Sequence, residues 1–145
     1  MGDMSVVKVL GGSRLLGRRI LNPLDLADVV EAGLPRQVAD RLQQRLDWSE
    51  SELAKGLGVS GKTLQRIGKE ADARLTSAQS DRLFRLARIV GFAEEVFEDS
   101  ARAHRWLKEP QRGLGNRTPL SLLGTEAGAR EVEDLLGRIE FGIFS

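Results

Sequence analysis

Residues 50–69 constrain the fold most strongly, because two short helical patterns flank a single glycine there. Leu53 and Leu57 lie about one helical turn apart and place an apolar stripe on the first helix. Gly58 permits the positive φ angle at which many helices end, and Ser60 is a good N-cap for a second helix. This spacing is typical of a helix-turn-helix.

The outer face of the second helix is the candidate site. Leu64 and Ile67 point toward the first helix, whereas the opposite face is cationic and polar and contains no carboxylate. Cations neutralise DNA phosphates, and Gln and Arg pair with base edges in the major groove. A solvated face is the alternative, but the absence of acidic residues favours DNA contact. The predicted DNA-binding residues are Ser60, Lys62, Thr63, Gln65, Arg66 and Lys69.

The same stretch also matches the phosphate-binding loop of many NTPases. Gly56, Gly61, Lys62 and Thr63 satisfy the pattern G-x-x-x-x-G-K-[ST]. A phosphate loop follows a buried β-strand, but residues 49–55 are polar with helical periodicity. No later strand followed by Asp is present to hold magnesium. We therefore disfavour a nucleotide-binding enzyme and expect no cofactor.

The charge balance does not by itself indicate a nucleic-acid-binding protein. The 22 basic and 21 acidic residues leave a formal net charge of +1, so the distribution matters more than the sum. Cations are concentrated on the second helix and before residue 21, and acids are concentrated further along the chain. One end of the chain therefore suits DNA, and the other is available to a different partner. The acidic clusters are Glu94, Glu95, Glu98 and Asp99, and Glu131, Glu133 and Asp134.

Composition also excludes some kinds of site. The chain has no cysteine, so it forms neither disulfides nor thiolate metal sites. His104 is the single histidine, and we expect it to lie at the surface rather than in a metal site. No apolar run approaches the length of a membrane span, and no hydrophobic signal segment is present at the start. We expect a cytoplasmic protein with no membrane association.

The remaining pattern predicts an all-α protein with two lobes. Residues 1–21 mix cations and glycines, and we expect a mobile basic leader there. Residues 22–72 form the helix-turn-helix DNA-binding domain, and residues 73–145 form a second helical lobe. The resemblance described below assigns partner binding and dimerisation to this second lobe. In the second lobe we expect Gly91 to break the first helix. We also expect an exposed loop over residues 111–117.

The carboxyl terminus is unusually apolar for an exposed end. Phe141, Ile143 and Phe144 lie within the last five residues. Such side chains expose considerable apolar surface unless something covers them. Two explanations stay open at this point: the tail folds back onto its own lobe, or a partner protein receives it.

From Ser60 to the carboxyl terminus the chain resembles the Xre/MbcA/ParS antitoxin family, whose members neutralise RES-domain toxins. Order and spacing over some eighty residues make the resemblance specific, although each position alone is a weak signal. The positions that carry it are Thr63–Arg66, Ser80–Arg85, Val96, Phe97, Trp106, Leu107, Pro110, Gly115, Thr118–Leu120, Leu122, Leu123, Thr125, Gly128, Val132, Leu136, Ile139 and Gly142.

The resemblance implies a helix-turn-helix that represses the antitoxin's own operon and a C-terminal lobe that binds the toxin. RES toxins consume NAD, and in such families the antitoxin's tail lies at the toxin's active site. Inhibition is then by obstruction, so the antitoxin is not itself an enzyme. For Trp106 and Leu107 the alternative is core packing. The implied toxin-binding residues are Trp106, Leu107, Phe141, Gly142, Ile143, Phe144 and Ser145.

The implied assembly is a homodimer, because two-fold symmetry matches a palindromic operator with two reading helices about one DNA turn apart. The alternative function is a stand-alone helix-turn-helix regulator whose C-terminal lobe only dimerises or binds a ligand. The two hypotheses differ in whether a toxin is bound.

Overall fold

The computed structural model describes residues 3–142, and over that range the chain forms α-helices and two short 3₁₀ helices without any β-strand. The expected all-α fold is confirmed. The helices are α1 (Asp3–Val9), α2 (Gly12–Leu16), α3 (Pro23–Ala32), α4 (Arg36–Leu46), α5 (Glu50–Leu57), α6 (Gly61–Ile67), α7 (Ser77–Phe97), α8 (Ser100–Lys108) and α9 (Glu126–Glu140), with 3₁₀ helices at Arg112–Leu114 and Pro119–Leu122.

Local capping chemistry fixes the starts of α5 and α7. Ser49 Oγ accepts a hydrogen bond from the Glu52 amide at 3.1 Å, and the Glu52 carboxylate accepts one from the Ser49 amide at 3.0 Å. Thr76 and Gln79 form the same reciprocal box at the start of α7. Each box satisfies amide groups that have no partner within the helix, so the two starts are fixed locally.

Helix α7 is the centre of the molecule and packs against α1, α3, α5, α8 and α9. Leu83, Ala87, Ile89 and Val90 are fully buried along it. The expectation that Gly91 breaks this helix is wrong, because α7 continues through it to Phe97. Glycine costs about 1 kcal/mol in a helix interior. Packing of this buried stretch against neighbouring helices outweighs that cost.

The leader is the largest departure from the sequence-based expectation. Residues 3–9 and 12–16 are helical, and α1 packs against α7. Apolar side chains that lie in short runs in the sequence are brought to one side by the helices and become part of the core. Gly11 and Gly12 both adopt positive φ, so they turn the chain between two helices instead of loosening it. The buried side chains are Val6, Val7, Val9, Leu10, Leu16 and Ile20.

The segment expected to be an exposed loop is also partly ordered by packing. Gln111 and Arg117 form an isolated bridge, and the 3₁₀ turn between them buries Leu114 to 6% exposure. Within the described part of the chain, no helix is both long and apolar enough to cross a membrane.

Candidate nucleic-acid interface and carboxyl-terminal surface

Helices α5 and α6 and the turn between them form the predicted helix-turn-helix. Gly58 ends α5 with φ of 72°, and Ser60 Oγ caps α6 by accepting from the Thr63 amide at 3.1 Å. A Cβ atom at residue 58 would lie 2.6 Å from Arg82 Nε of α7. The turn therefore needs glycine for its backbone conformation and for the close approach of an arginine.

The predicted DNA-binding residues lie together on and beside α6. Leu64 is buried at 2% exposure and anchors the helix, so the opposite face is turned to solvent. Thr63 is half-buried, and its hydroxyl accepts from that of Ser60 at 3.0 Å. The exposed members are Ser60, Lys62, Gln65, Arg66 and Lys69.

Lys69 differs from the other cations of this face. Its ammonium lies 3.2 Å from a carboxylate oxygen of Glu50 on α5. Lys62 and Arg66 form no ion pair with any residue that the structure describes. The sequence shows no acid on the reading helix itself, but the fold brings one to its end. Lys62 and Arg66 are therefore the stronger candidates for phosphate or base contact.

The phosphate-loop pattern lies on the last turn of α5, the connecting turn and the start of α6. No strand precedes it, because residues 50–57 are helical. A Cβ atom at Gly56 would lie 2.7 Å from Trp48 Cζ3, so this glycine makes room for an indole ring. Packing thus explains why glycine stands at position 56, and the strand-before-loop context of a nucleotide site is missing.

Arg36 is a site residue that sequence reasoning missed. Its side chain is 1% exposed, and its Nε donates to Asp40 Oδ1 at 3.0 Å. Its Nη1 donates to the carbonyl oxygens of Leu64 at 2.9 Å and Gly68 at 3.2 Å. The Glu50 carboxylate lies 3.8 Å from Nη2. One buried guanidinium therefore joins the start of α4 to the C-terminal end of α6.

This arrangement matches what a helix end requires. The last carbonyl groups of a helix lack intrahelical partners and carry partial negative charge, so a cation with several donors stabilises them. Arginine offers five donors in a planar fork, which lysine does not. In the sequence Arg36 looks like the other arginines of α4, Arg41 and Arg45, because nothing in local spacing shows which of them is buried.

A second charged cluster joins α4 to the two helices beyond the helix-turn-helix. Arg45 donates to both carboxylate oxygens of Glu94 on α7, at 2.9 and 2.7 Å. His104 Nε2 of α8 lies 2.6 Å from Glu94 Oε2, and the histidine side chain is only 15% exposed. The expectation of a surface histidine is therefore wrong. Glu94 belongs to an acidic cluster in the sequence, but in the fold its carboxylate connects Arg45 of α4 to His104 of α8.

The environment of Glu94 sets its charge. Burial raises the pKa of its carboxyl group, but hydrogen bonds and charge from Arg45 and His104 outweigh burial and hold the pKa below its usual value. The carboxylate therefore stays ionised in the folded protein, where it pairs with groups from α4 and α8.

Of the predicted toxin-binding residues, Trp106 and Phe141 lie at the carboxyl-terminal surface and Leu107 does not. Leu107 is fully buried, so it belongs to the core. Trp106 is half-buried, with its ring centre 5.5 Å from that of Phe97, and it lines a groove of about 340 Å³ that reaches Ile139. Phe141 is 79% exposed at the end of α9.

Gly142 is exposed and has a positive φ of 76°, so the chain turns directly after α9. The other predicted residues of the tail, Ile143, Phe144 and Ser145, lie outside the described residues.

Two family models match consecutive parts of the chain. Residues 25–88 match the family described as Antitoxin Xre-like helix-turn-helix domain, and residues 92–142 match the Antitoxin Xre/MbcA/ParS C-terminal toxin-binding domain. The matched ranges meet inside α7, whereas the sequence analysis places the boundary near Asp72. The division into residues 22–72 and 73–145 stays a prediction.

Curated relatives cover most of the chain. An Antitoxin Xre of Yersinia enterocolitica serotype O:8 / biotype 1B is 36% identical over 121 residues, which are 83% of this chain and 81% of that protein. An Antitoxin Xre of Photorhabdus laumondii subsp. laumondii is 35% identical over 81% of this chain and 79% of its own length. A Prs ADP-ribosylating antitoxin of Sphingobium sp. is 26% identical over 86% of this chain and 83% of its own length.

The fold and the matches define a class of two-part protein, in which a helix-turn-helix domain precedes a toxin-binding domain. The chain belongs to the Xre/MbcA/ParS family of antitoxins. A toxin is therefore its partner, and an antitoxin function is favoured over that of a stand-alone regulator.

Replacing Arg36 by Lys tests its role at the end of α6. We expect the free energy of unfolding to fall by about 1–3 kcal/mol, because one ammonium group does not satisfy both carbonyl groups and Asp40. Urea denaturation measures the change. Arg41→Lys, at an exposed position of the same helix, is the matched control and changes stability by less than about 0.5 kcal/mol. Equal stability of the two variants would show that the buried fork contributes nothing.

The Glu94 bridge predicts a specific loss of stability in acid. Because its folded pKa is lowered, the ionised carboxylate stabilises the folded state above the unfolded pKa of about 4.3. That contribution disappears as the pH falls through the lower folded pKa. Urea midpoints measured from pH 7 downward should therefore fall more steeply for the native chain than for Glu94→Gln. Glu131→Gln, at an exposed position of α9, should keep the native dependence of the urea midpoint on pH. If the midpoints of all three chains fall in parallel, Glu94 is not the source of the acid sensitivity.

Proposed function

We propose that this antitoxin neutralises an NAD-consuming RES-domain toxin by placing its C-terminal tail in the toxin's active site. We also propose that it represses its own operon by binding a palindromic operator through α6 as a homodimer. The observation that carries the proposal is the 79% exposure of Phe141, which lies at the end of the segment matched to the toxin-binding domain.

The exposure of Phe141 favours a partner over the fold-back alternative for this residue. A phenylalanine left in water forgoes about 1.5–3 kcal/mol of burial free energy. A toxin surface that covers it recovers this energy on binding. Phe141 and Gly142 begin the tail, and Ile143, Phe144 and Ser145 follow them in the sequence.

Obstruction requires only that the tail occupies space that the substrate needs. We expect the apolar and aromatic side chains of the tail to fill the space in which the bases of a dinucleotide would bind. The Sphingobium relative carries ADP-ribosylation in its name, and ADP-ribose is drawn from NAD in that reaction. The name connects a relative with NAD chemistry, and we propose an NAD-consuming partner for the present chain. No chemistry by the antitoxin is needed.

The DNA-binding half of the proposal relies on α6. Lys62, Gln65 and Arg66 are exposed on one side of a helix whose other side is anchored by Leu64. Arg36 fixes the C-terminal end of this helix from within. A rigid, outward-facing helix with cationic and amide side chains is what major-groove recognition requires.

Deleting residues 141–145 tests the obstruction mechanism. We expect the truncated chain to lose protection of cells that co-express the toxin, because the group that fills the active site is gone. Growth after toxin induction measures this, and operator binding serves as the internal control because it should be unchanged. Full protection by the truncated chain would refute the role of the tail.

Replacing Lys62 and Arg66 by Ala tests the DNA-binding half. We expect weaker operator binding and a slope of log K against log salt that is reduced by roughly one for each phosphate that the variant no longer neutralises. Gel-shift titrations at several salt concentrations measure both quantities. Arg117→Ala with Arg130→Ala removes two exposed cations from the other part of the chain and should leave the slope unchanged. The proposal fails if both double variants behave alike, and toxin protection should survive in the α6 variant.

A further inference from the structure

A pocket lies between α5, α7, the end of α8 and the second 3₁₀ helix. Its volume is about 540 Å³, which is within the range of small-molecule sites in proteins. Lys55 lines it from the segment matched to the helix-turn-helix domain, and Lys108 lines it from the segment matched to the toxin-binding domain. None of the predicted DNA-binding residues lines the pocket, and neither does Phe141. The pocket is therefore separate from both surfaces of the proposed function.

The pocket carries a surplus of positive charge. Lys55, Arg82 and Lys108 line it together with one carboxylate, that of Glu52. None of the three cations forms an ion pair with a residue that the structure describes. Lys108 donates to the carbonyl oxygen of Leu46, which holds its ammonium group in place. An anion that enters the pocket therefore meets cations that have no anionic partner of their own.

Glu52 does not cancel this charge. Its pKa is lowered chiefly by the hydrogen bond from the Ser49 amide, and attraction to Lys108 and Lys55 lowers the pKa further. Both lysines therefore lie near one carboxylate that already serves as a helix cap. They converge on it from α5 and α8, so one region of the pocket receives two ammonium groups and a single negative charge.

Arg82 has unused hydrogen-bonding capacity at this pocket. Its Nη1 donates to the carbonyl oxygen of Gly124 at 3.2 Å, which is the one hydrogen bond of this side chain with a described residue. Its Nε, beside Gly58, is buried without a hydrogen-bond partner. A guanidinium has five donors, and donors left without a partner cost free energy. Arg82 is therefore suited to bind an anion with several acceptor oxygens.

The rest of the pocket wall is apolar and includes an aromatic ring. Trp48 is half-buried, and one edge of its indole packs against Gly56, where a Cβ atom would lie 2.7 Å from Trp48 Cζ3. Leu86, Leu120 and Leu123 line the pocket with it. Aromatic side chains stack with nucleobases of any identity, because every base has a π face. Cations and an aromatic surface thus occur in one pocket.

We infer that this pocket binds a nucleoside monophosphate, with the base against Trp48 and the phosphate between Lys55, Arg82 and Lys108. A phosphate monoester carries a charge of about −1.5 to −2 at pH 7 and has three strong acceptor oxygens. This charge matches the surplus of cations, and the oxygens match the free donors. Inorganic phosphate alone leaves the apolar wall uncovered, whereas a base covers it.

This site is distinct from the phosphate-loop pattern of residues 56–63. Gly56 is the one member of that pattern that lines the pocket, and it makes room for the Trp48 indole. Lys62, which would hold the phosphates in that pattern, is on the exposed face of α6. A ligand in the pocket contacts residues of both matched segments, so its binding stabilises the junction between them.

Calorimetric titration of the full chain with AMP, without magnesium, tests the inference. The native chain should bind AMP, and Lys55→Ala should raise the dissociation constant at least about tenfold, because a hydrogen bond to a charged group is lost. Lys55 is exposed and unpaired, so the variant should fold normally, as circular dichroism will show. Lys62→Ala is the matched control and should bind AMP like the native chain. Absence of AMP binding at millimolar concentration, or equal losses in the two lysine variants, overturns the inference.

The role of the base is tested by dividing the ligand and by following Trp48. Adenosine and inorganic phosphate should each bind more weakly than AMP, because each lacks one half of the ligand. The chain has two tryptophans, so Trp106→Phe leaves Trp48 as the single fluorescent indole, and AMP should quench it. Phosphate binding as tight as that of AMP, or unchanged Trp48 emission in a chain that binds AMP, overturns the assignment of a nucleotide to this pocket.

Discussion

The helix-turn-helix is held in place by the hydrogen bonds of the buried Arg36 guanidinium. This guanidinium donates to the carbonyl oxygens of Leu64 and Gly68 and to Asp40, and the amide of Arg36 donates to the carbonyl oxygen of Ala73 at 2.9 Å. The start of α4, the end of α6 and the segment before α7 therefore meet at one residue. Hydrogen bonds at Nε and Nη1, with the Glu50 carboxylate 3.8 Å from Nη2, offset the cost of burying this charge to 1% exposure.

Helix α7 joins the two surfaces that we propose for DNA binding and toxin binding. This helix passes under α5, where Arg82 occupies the space beside Gly58, and it reaches α8 and α9 at its other end. Glu94 adds a polar link, because Arg45 and His104 both contact it from different helices. The reading helix and the exposed Phe141 thus belong to one scaffold. The proposed DNA-binding face and the proposed toxin-binding surface are therefore joined by packed helices.

Local chemistry made much of this fold predictable, and longer-range packing accounts for the errors. The predicted N-cap at Ser60 is confirmed, since a cap involves only residues three or four positions apart. Side-chain caps at Asn22, Ser49, Thr76 and Asp99 start other helices in the same way. The short apolar runs of the leader predict a mobile segment, and that prediction is wrong for the described part of the leader. Burial of Leu10 and its neighbours against α7 supplies stabilisation that the local helix propensity of this segment does not provide.

The sequence by itself determined the helix-turn-helix, its capped helix starts, the polar outer face of α6 and the apolar tail, because each depends on side chains close together in the chain. Only the tertiary structure decided that Arg36 is buried, that His104 meets Glu94, and that Lys69 is paired with Glu50. These contacts join residues that are 10 to 32 positions apart. Periodicity shows which side of a helix is apolar, but which charged residue faces a neighbouring helix depends on how the helices pack.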